Sequence, residues 1–441
     1  MCLLLLAASL PDKGRAFCGF YVGKADGALS NEKSQVVLVR KDNRTVISML
    51  NEFKGDLKDF ALVVPVPVLL KKDQIHIGDR DLFEKLDAYS TPRLVEYFDP
   101  DPCGVRYDGF DMRLGAAAPK AQMAKESRNE ERDKALGVSI EAKYTVGEYD
   151  ILILSAKQSD GLETWLHENG YKLPSGIGGS LKPFIKQDMK FFVAKVNLGE
   201  QAKTGAKYLR PLQFAFESPR FGLPIRLGMV NAHGPQDLVV YAITAGGRVE
   251  TTNYRTVKMP SGMNIPEYVQ GNFGDFYRDT FLRQWEKEGR NTAFTEYFWN
   301  MNWCDPCAGT PLTPEELQKL GVFWLGDAQT NASYGIAGGS QEVFLTRLHI
   351  RYSRATFPED LVFQETKDQE NFQARYILQH AFKGREDCAE AKAYYKQVKQ
   401  RQETEAVTLA GLTGWDLDKI RDKMGLEKGQ GHQWWNKIWT E

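Results

Sequence analysis

The sequence predicts an α+β protein with mixed, mainly antiparallel sheets, short capped helices and a helical C-terminal region. Three observations carry that expectation. Apolar runs rich in Val, Ile and Phe, punctuated by Gly, Pro and Asn/Asp turns, recur from Ser34 to Met259 and read as strands. Short segments with acidic residues at helix starts interrupt them. From about Cys388 to Leu412 the apolar residues Ala391, Tyr394, Tyr395, Val398, Ala406 and Leu409 keep helical spacing.

From the N-terminus, MCLLLLAASL is an apolar run followed by Gly14 and Ala16, small residues at the −3 and −1 positions of a cleavage after Ala16. Residues 1–16 are therefore expected to be the remnant of a secretory signal, although no Lys or Arg precedes the run; a short buried strand or helix is the alternative. Residues 17–112 read as an N-terminal α+β region. Within it Ser34–Leu70 is a hairpin turning at Asp42 and Asn43 plus a buried strand, whose end Pro65 and Pro67 assign to an edge or exit. Asp81 and Glu84 are spaced as a capping box over Leu82, Phe83 and Leu86.

Residues 113–140, charged and poor in large apolar side chains, read as a linker or exposed insertion. The β-rich region 141–262 opens with the strand Tyr149–Leu154. A helix follows, with a capping box at Asp160 and Glu163, an apolar face of Leu162, Trp165 and Leu166, and an αL stop at Gly170. Lys190–Leu198, LQFAFES, LPIRLGMV and the segment after Asp237 supply further strands, with Gly246 and Gly247 as a hairpin turn. Region 263–386 reads as helical and aromatic from Ile265 to Trp303, and Thr313, Pro314, Glu316 and Gly321 then frame a short helix. Residues 387–441 form the helical end, where Asp416–Met424 stops at Gly425. The tail holds Trp434, Trp435 and Trp439, which suit packing on their own domain or docking at a membrane interface or partner.

Composition narrows the function classes. The 441 residues carry 57 Lys plus Arg against 58 Asp plus Glu, and a net charge of −1 gives no pull toward nucleic acid. After the first ten residues no apolar segment is long enough to span a bilayer, so no transmembrane span is expected in the mature chain. Of six cysteines, cleavage removes Cys2 and leaves Cys18, Cys103, Cys304, Cys307 and Cys388, an odd number that implies two disulfides and a spare thiol or an intermolecular link. A Cys18–Cys103 bridge would close a loop worth about 4 kcal/mol of chain entropy.

Trp303-Cys304-Asp305-Pro306-Cys307 resembles the W-C-x-P-C site of thioredoxin-like oxidoreductases, where the first thiolate needs a helix start. Here Gly309 and Pro311 break the chain immediately afterwards, so Cys304 and Cys307 read first as a structural disulfide, local or shared with Cys388, and second as a thiol-disulfide or metal-binding pair. Zinc would need two further ligands; only His349 and His380 lie downstream within reach, and their spacing is wrong for a standard site. Gly178-Gly179-Ser180 and Gly338-Gly339-Ser340 do not complete a nucleophile elbow and read as flexible loops. No phosphate-binding glycine loop occurs. No catalytic residue, cofactor or metal is predicted.

Several long segments together resemble one bacterial family. They are FCGFYVGKADGAL from Phe17, VVLVRKDNRTVISMLNEFKGDLKDFALVVPVPV from Val36, TPRLVEYFDPDPC from Thr91, GLETWLHENGYKLP from Gly161, FESPRFGLPIRLGMVNAHGPQDLVVYA from Phe216, WCDPC and FPEDLVFQET. The family is catalogued as domain of unknown function 2330. The resemblance implies an exported bacterial protein and transfers no catalytic residue. The expectation is an envelope or secreted protein, more a binding or structural protein than an enzyme, whose partner is an envelope protein or a surface ligand.

Overall fold

The computed structural model describes residues 20–21, 30–54, 61–103, 137–169, 177–204, 209–232, 234–302, 305, 310–325, 342–384 and 388–426. The fold is α+β, with mixed sheets that are mostly antiparallel. The chain forms two units, each drawn from three separate stretches.

The larger unit takes in residues up to Ser90, Ala118–Val257 and Asn291–Phe372. Numbering strands in chain order, its nine-stranded sheet runs β14 (Arg255–Lys258), β16 (Thr292–Asn300), β17 (Phe344–Tyr352), β12 (Gln236–Thr244), β2 (Ser30–Lys41), β3 (Arg44–Lys54), β10 (Leu212–Glu217) and β5 (Ile75–Ile77), with β19 (Phe372–Gln373) added to β16. A five-stranded sheet runs β1 (Phe20–Tyr21), β4 (Ala61–Val66), β9 (Lys190–Val196), β8 (Tyr149–Ala156) and β7 (Val138–Val146), and a small one runs β11 (Gly222–Leu223), β18 (Leu361–Glu365) and β13 (Val249–Thr251). Most pairs are antiparallel, but β2 and β12 are parallel, with Val36 opposite Val240.

Because side chains alternate along a strand, each large sheet has two apolar faces to bury. The inner faces meet: Leu62, Val64, Ile151, Ile153, Phe192 and Ala194 of one sheet share a core with Val36, Leu38, Ile47, Leu238, Val240, Leu348 and Ile350 of the other. Alternate residues serve the outer faces. Val63, Leu154, Phe191 and Val193 are covered by helices α2 (Ser159–Glu168) and α3 (Ile177–Lys186). On the other side Val37, Val39, Val239, Tyr241, Ile243 and Leu345 are covered by α1 (Arg80–Ser90) and α6 (Pro314–Lys319). A short helix α4 (Leu198–Thr204) follows β9. The result is four layers, helix–sheet–sheet–helix. Phe191 and Phe192 point to opposite cores, both fully buried, and truncating either to Ala costs about 3–5 kcal/mol.

The smaller unit comprises Thr91–Ala117, Lys258–Arg290 and Gln373 onward. Its parallel sheet, β15 (Met263–Asn264), β20 (Arg375–His380) and β6 (Arg93–Phe98), packs with α5 (Phe273–Lys287), α7 (Ala389–Thr413) and α8 (Leu417–Met424) around Phe276, Tyr376, Leu378, Ala406, Leu409 and Ile420. Among the described residues no helix is long and apolar enough to cross a membrane.

Many elements lie where the sequence places them. The β2–β3 hairpin turns at Asp42 and Asn43, with Asp42 left-handed at φ 53°. Pro65 pairs with Phe191 of β9 on one side, and among the described residues β1 pairs on the other side with Leu62 and Val63 only, so no described ladder needs an N–H from the proline there. Thr313 and Glu316 make a reciprocal capping box, and α7 and α8 end at left-handed Gly414 and Gly425.

Other expectations are corrected. Gly246 and Gly247 do not turn a hairpin: β12 and β13 belong to different sheets, and the glycines let the backbone pass the 365–368 segment, where a Cβ on Gly247 would lie 2.4 Å from the Thr366 carbonyl oxygen. The stretch from Ile265 to Trp303 is helical through a 3-10 helix at Glu267–Asn272 and then α5, but Thr292–Asn300 is strand β16, where β-branched and aromatic residues outweigh helical spacing. LPIRLGMV is not a strand beyond Leu223, and Gly228–Asn231 form a 3-10 turn. Gly178 and Gly179 lie in the first turn of helix α3 rather than in a loop, and a Cβ on Gly178 would meet a Glu163 carboxylate oxygen of α2 at 2.6 Å. At α1 the carboxylate that accepts a first-turn N–H, from Asp81, belongs to Asp79, and at α2 Gln158 is the N-cap, so Asp81 and Asp160 lie inside their helices rather than capping them. The charged stretch ends where β7 begins at Val138, and Gly170 lies outside the described residues.

Candidate functional site

The densest group of ionisable side chains lies on the α1-covered face of the nine-stranded sheet. In β17, Leu345, Arg347, His349 and Arg351 share that face, while Leu348, Ile350 and Tyr352 point into the inter-sheet core. Pairing places Tyr241 opposite Arg347, Val239 opposite His349 and Asp237 opposite Arg351. A bulge between Thr295 and Tyr297 in β16 breaks the alternation and brings Glu296 onto the same face. The last turn of α1 adds Asp87 and Ser90.

These groups form a row of alternating charge. The Arg347 Nε donates to Glu296 Oε2 at 2.5 Å and its Nη1 to Asp87 Oδ1 at 2.8 Å. His349 Nδ1 lies 2.7 Å from Glu296 Oε1, and its Nε2 lies 3.7 Å from Asp237 Oδ1. The row continues with Arg351 Nη1 donating to Asp237 Oδ2 at 2.6 Å, and the Tyr241 hydroxyl donates to Asp87 at 2.7 Å. Glu296 is 1% and Arg347 4% exposed, so charges here interact with little screening from water.

The titration directions follow. Burial works against the His349 cation, but Glu296 and then Asp237 outweigh it and raise its pKa above the ordinary value. Burial likewise opposes charge on Asp237, yet His349 and Arg351 hold that carboxyl below the usual range. The Tyr241 hydroxyl is pushed well up by burial, with Asp87 adding to it, and stays protonated. With His349 protonated, Arg347, His349 and Arg351 balance Asp87, Glu296 and Asp237. Chemically the row fixes α1 to the sheet, and its carboxylates favour the protonated form of His349.

The smaller unit has its own polar centre. Asp99 accepts from Gln379, Tyr394 and Arg401, and His380 lies between Glu96 at 2.8 Å and Glu267 at 3.3 Å with the exposed Phe98 ring stacked on it. Glu405 of α7 is buried there, and burial, with Glu267 and Asp99 adding to it, pushes its pKa up to about 7.

The cysteines singled out from the sequence are placed as follows. Cys103 and Cys388 form a disulfide with Cα atoms 5.9 Å apart, linking positions 285 apart in sequence, so Cys103 does not pair with Cys18 and Cys388 is not shared with the Cys304–Cys307 pair. Cys18, Cys304 and Cys307, the signal-like residues 1–16, Ser340 with its glycines and the tryptophans of the tail lie outside the described residues. Asp305, between the two cysteines, is buried and accepts from the Tyr297 hydroxyl at 3.1 Å. His349 and His380 stand in the separate polar centres described above. Among the described residues no group of three or more His, Cys, Asp or Glu is placed to hold a metal ion.

Sequence reasoning missed the charged row. Its signal is the segment RLHIR, Arg347–Arg351, in which cationic residues alternate with apolar ones at strand period. Glu296 carried no signal of its own, since only the bulge turns it to that face.

No curated protein and no solved structure matches the chain. A family model does, over residues 13–364, ending just before the last residue of β18 and so before α7, α8 and Cys388. It covers well over half of the sequence, and the chain belongs to the family described as "Uncharacterized protein conserved in bacteria" (DUF2330).

Proposed function

We propose that this is an exported bacterial protein of the cell envelope or extracellular space, acting through binding or assembly rather than catalysis. The observation that carries the reading is the Cys103–Cys388 bond. A disulfide that ties β6 to the start of a long helix suits an oxidising compartment, whereas cytosolic thiols are kept reduced. The apolar run before Ala16 supports the same assignment. The charged row supports a non-catalytic role, because its acids and bases are engaged with one another and fasten a helix to a sheet. Its partner is an envelope protein or a surface ligand.

Fractionation of the native bacterium tests this, with N-terminal mapping of the recovered chain. The expected result is a chain starting at Phe17 in the periplasmic or extracellular fraction. Recovery in the cytosol with residues 1–16 retained would overturn the reading.

A further inference from the structure

The two ends of the Cys103–Cys388 bond differ chemically. Cys103 is exposed, in the turn after β6, with its N–H donated to Asp101. Cys388 is half-buried and is the N-cap of α7, where it makes no side-chain cap to the first turn. A thiolate on Cys388 would stand where N-cap side chains accept first-turn N–H groups, at the positive end of a 25-residue helix. Helix N-termini stabilise thiolates, and the sulfur with the more stable thiolate is the better leaving group. Glu390 of the first turn is exposed and opposes this through water.

Helix α7 is held unevenly. Its second half carries Ala406, Leu409 and Leu412 in the apolar core of the unit. Its first half buries only Ala391 and Val398 and is otherwise tied by polar contacts: Tyr394 donates to Asp99 at 2.6 Å, Arg401 pairs with Asp99 at 2.8 Å, and Tyr395 donates to the Phe382 carbonyl at 3.3 Å. The disulfide is the covalent hold on that half.

We propose that the Cys103–Cys388 disulfide is an exchangeable redox latch, opened by a dithiol that attacks Cys103 and expels Cys388 as the thiolate, and that opening it loosens the first half of α7. In the first step a thiolate of the dithiol bonds to the Cys103 sulfur as the Cys103–Cys388 bond breaks, leaving the electron pair on Cys388. The second thiol of the reagent then displaces Cys103, so the dithiol is oxidised to its disulfide and the protein gains two thiols. This goes beyond export, since the direction of exchange depends on the helix and not on the compartment.

The test uses the full-length protein, oxidised in vitro if necessary, treated with the monothiol glutathione at neutral pH, quenched in acid and mapped by mass spectrometry. The expected product carries glutathione on Cys103 and a free Cys388, in at least tenfold excess over the reverse adduct. The reverse adduct, or a bond that stays closed while a small-molecule disulfide is reduced, overturns the proposal. In the reduced protein, Cys388 should alkylate with a midpoint below the ordinary value of about 8.5, and a midpoint at or above it also overturns the proposal. Amide exchange should accelerate on reduction at residues 389–400 and not at 405–413, and equal acceleration in both, or none, overturns the loosening. A chain isolated as the dithiol from native cells would remove the support for export while leaving the exchange experiment readable.

Discussion

Replacing Arg347 with Met keeps the length and most of the volume of the side chain and removes its charge. The guanidinium is 4% exposed and bonded to Glu296, itself 1% exposed, at 2.5 Å and to Asp87 at 2.8 Å. Its loss takes from Glu296 and Asp87 the guanidinium that bonds them both, while the His349 contact of Glu296 and the Tyr241 hydroxyl bond of Asp87 stay in place. Removing one partner of a buried pair leaves an uncompensated charge and costs about 3–5 kcal/mol. Arg347→Met should therefore destabilise the larger unit by that amount at pH 7. In the double variant Arg347→Met with Glu296→Gln, part of the loss should return, with a coupling of about 1–3 kcal/mol. A chain of two units need not unfold in one step, so the assay is native-state hydrogen exchange at the amides of β12, β16 and β17. A loss under about 1 kcal/mol, or strict additivity in the double variant, would refute the claim that the row is a coupled structural network.

Three further outcomes follow from the same physics. Glu405, raised to about 7 from an ordinary 4.5, holds in the folded state a proton that the unfolded chain releases, so the smaller unit should lose up to about 3 kcal/mol as pH rises from 4.5 to 7 and then level off; Glu405→Gln should abolish that decline in amide exchange of α7. His349 has a raised pKa, so its contribution is complete below the ordinary 6.5 and fades as pH rises through the folded value; His349→Gln should cost about 1.5–3 kcal/mol at pH 6 and flatten the pH profile of urea unfolding of the larger unit. Gly247→Ala puts a methyl against the Thr366 and Asp368 carbonyl oxygens and should cost about 1–3 kcal/mol by thermal unfolding, whereas Gly179→Ala, with open space around it, should cost far less.

The legible parts of the chain were those that local chemistry decides. Asp42-Asn43 between two alternating runs determines a hairpin, Thr313 with Glu316 determines a helix start, and Gly414 and Gly425 end helices because only a left-handed residue fits there. The errors share one cause. Thr292–Asn300 becomes a central strand because partners distant in sequence, β17 above all, complete its hydrogen bonds, and Gly246-Gly247 serves a close approach by residues more than a hundred positions away. The charged row was hidden for the same reason. Its members come from α1, β12, β16 and β17, and its key carboxylate faces the row only through a bulge that no periodicity announces. The Cys103–Cys388 pairing likewise joins residues that only the smaller unit's fold brings together.

The most direct test of the central claim is to trap thiols with acid and an alkylating agent in cells of the native bacterium and map Cys103 and Cys388 by mass spectrometry. Both should be recovered as one disulfide-linked peptide pair from the extracytoplasmic fraction. Recovery of both as alkylated thiols in the cytosolic fraction would contradict it.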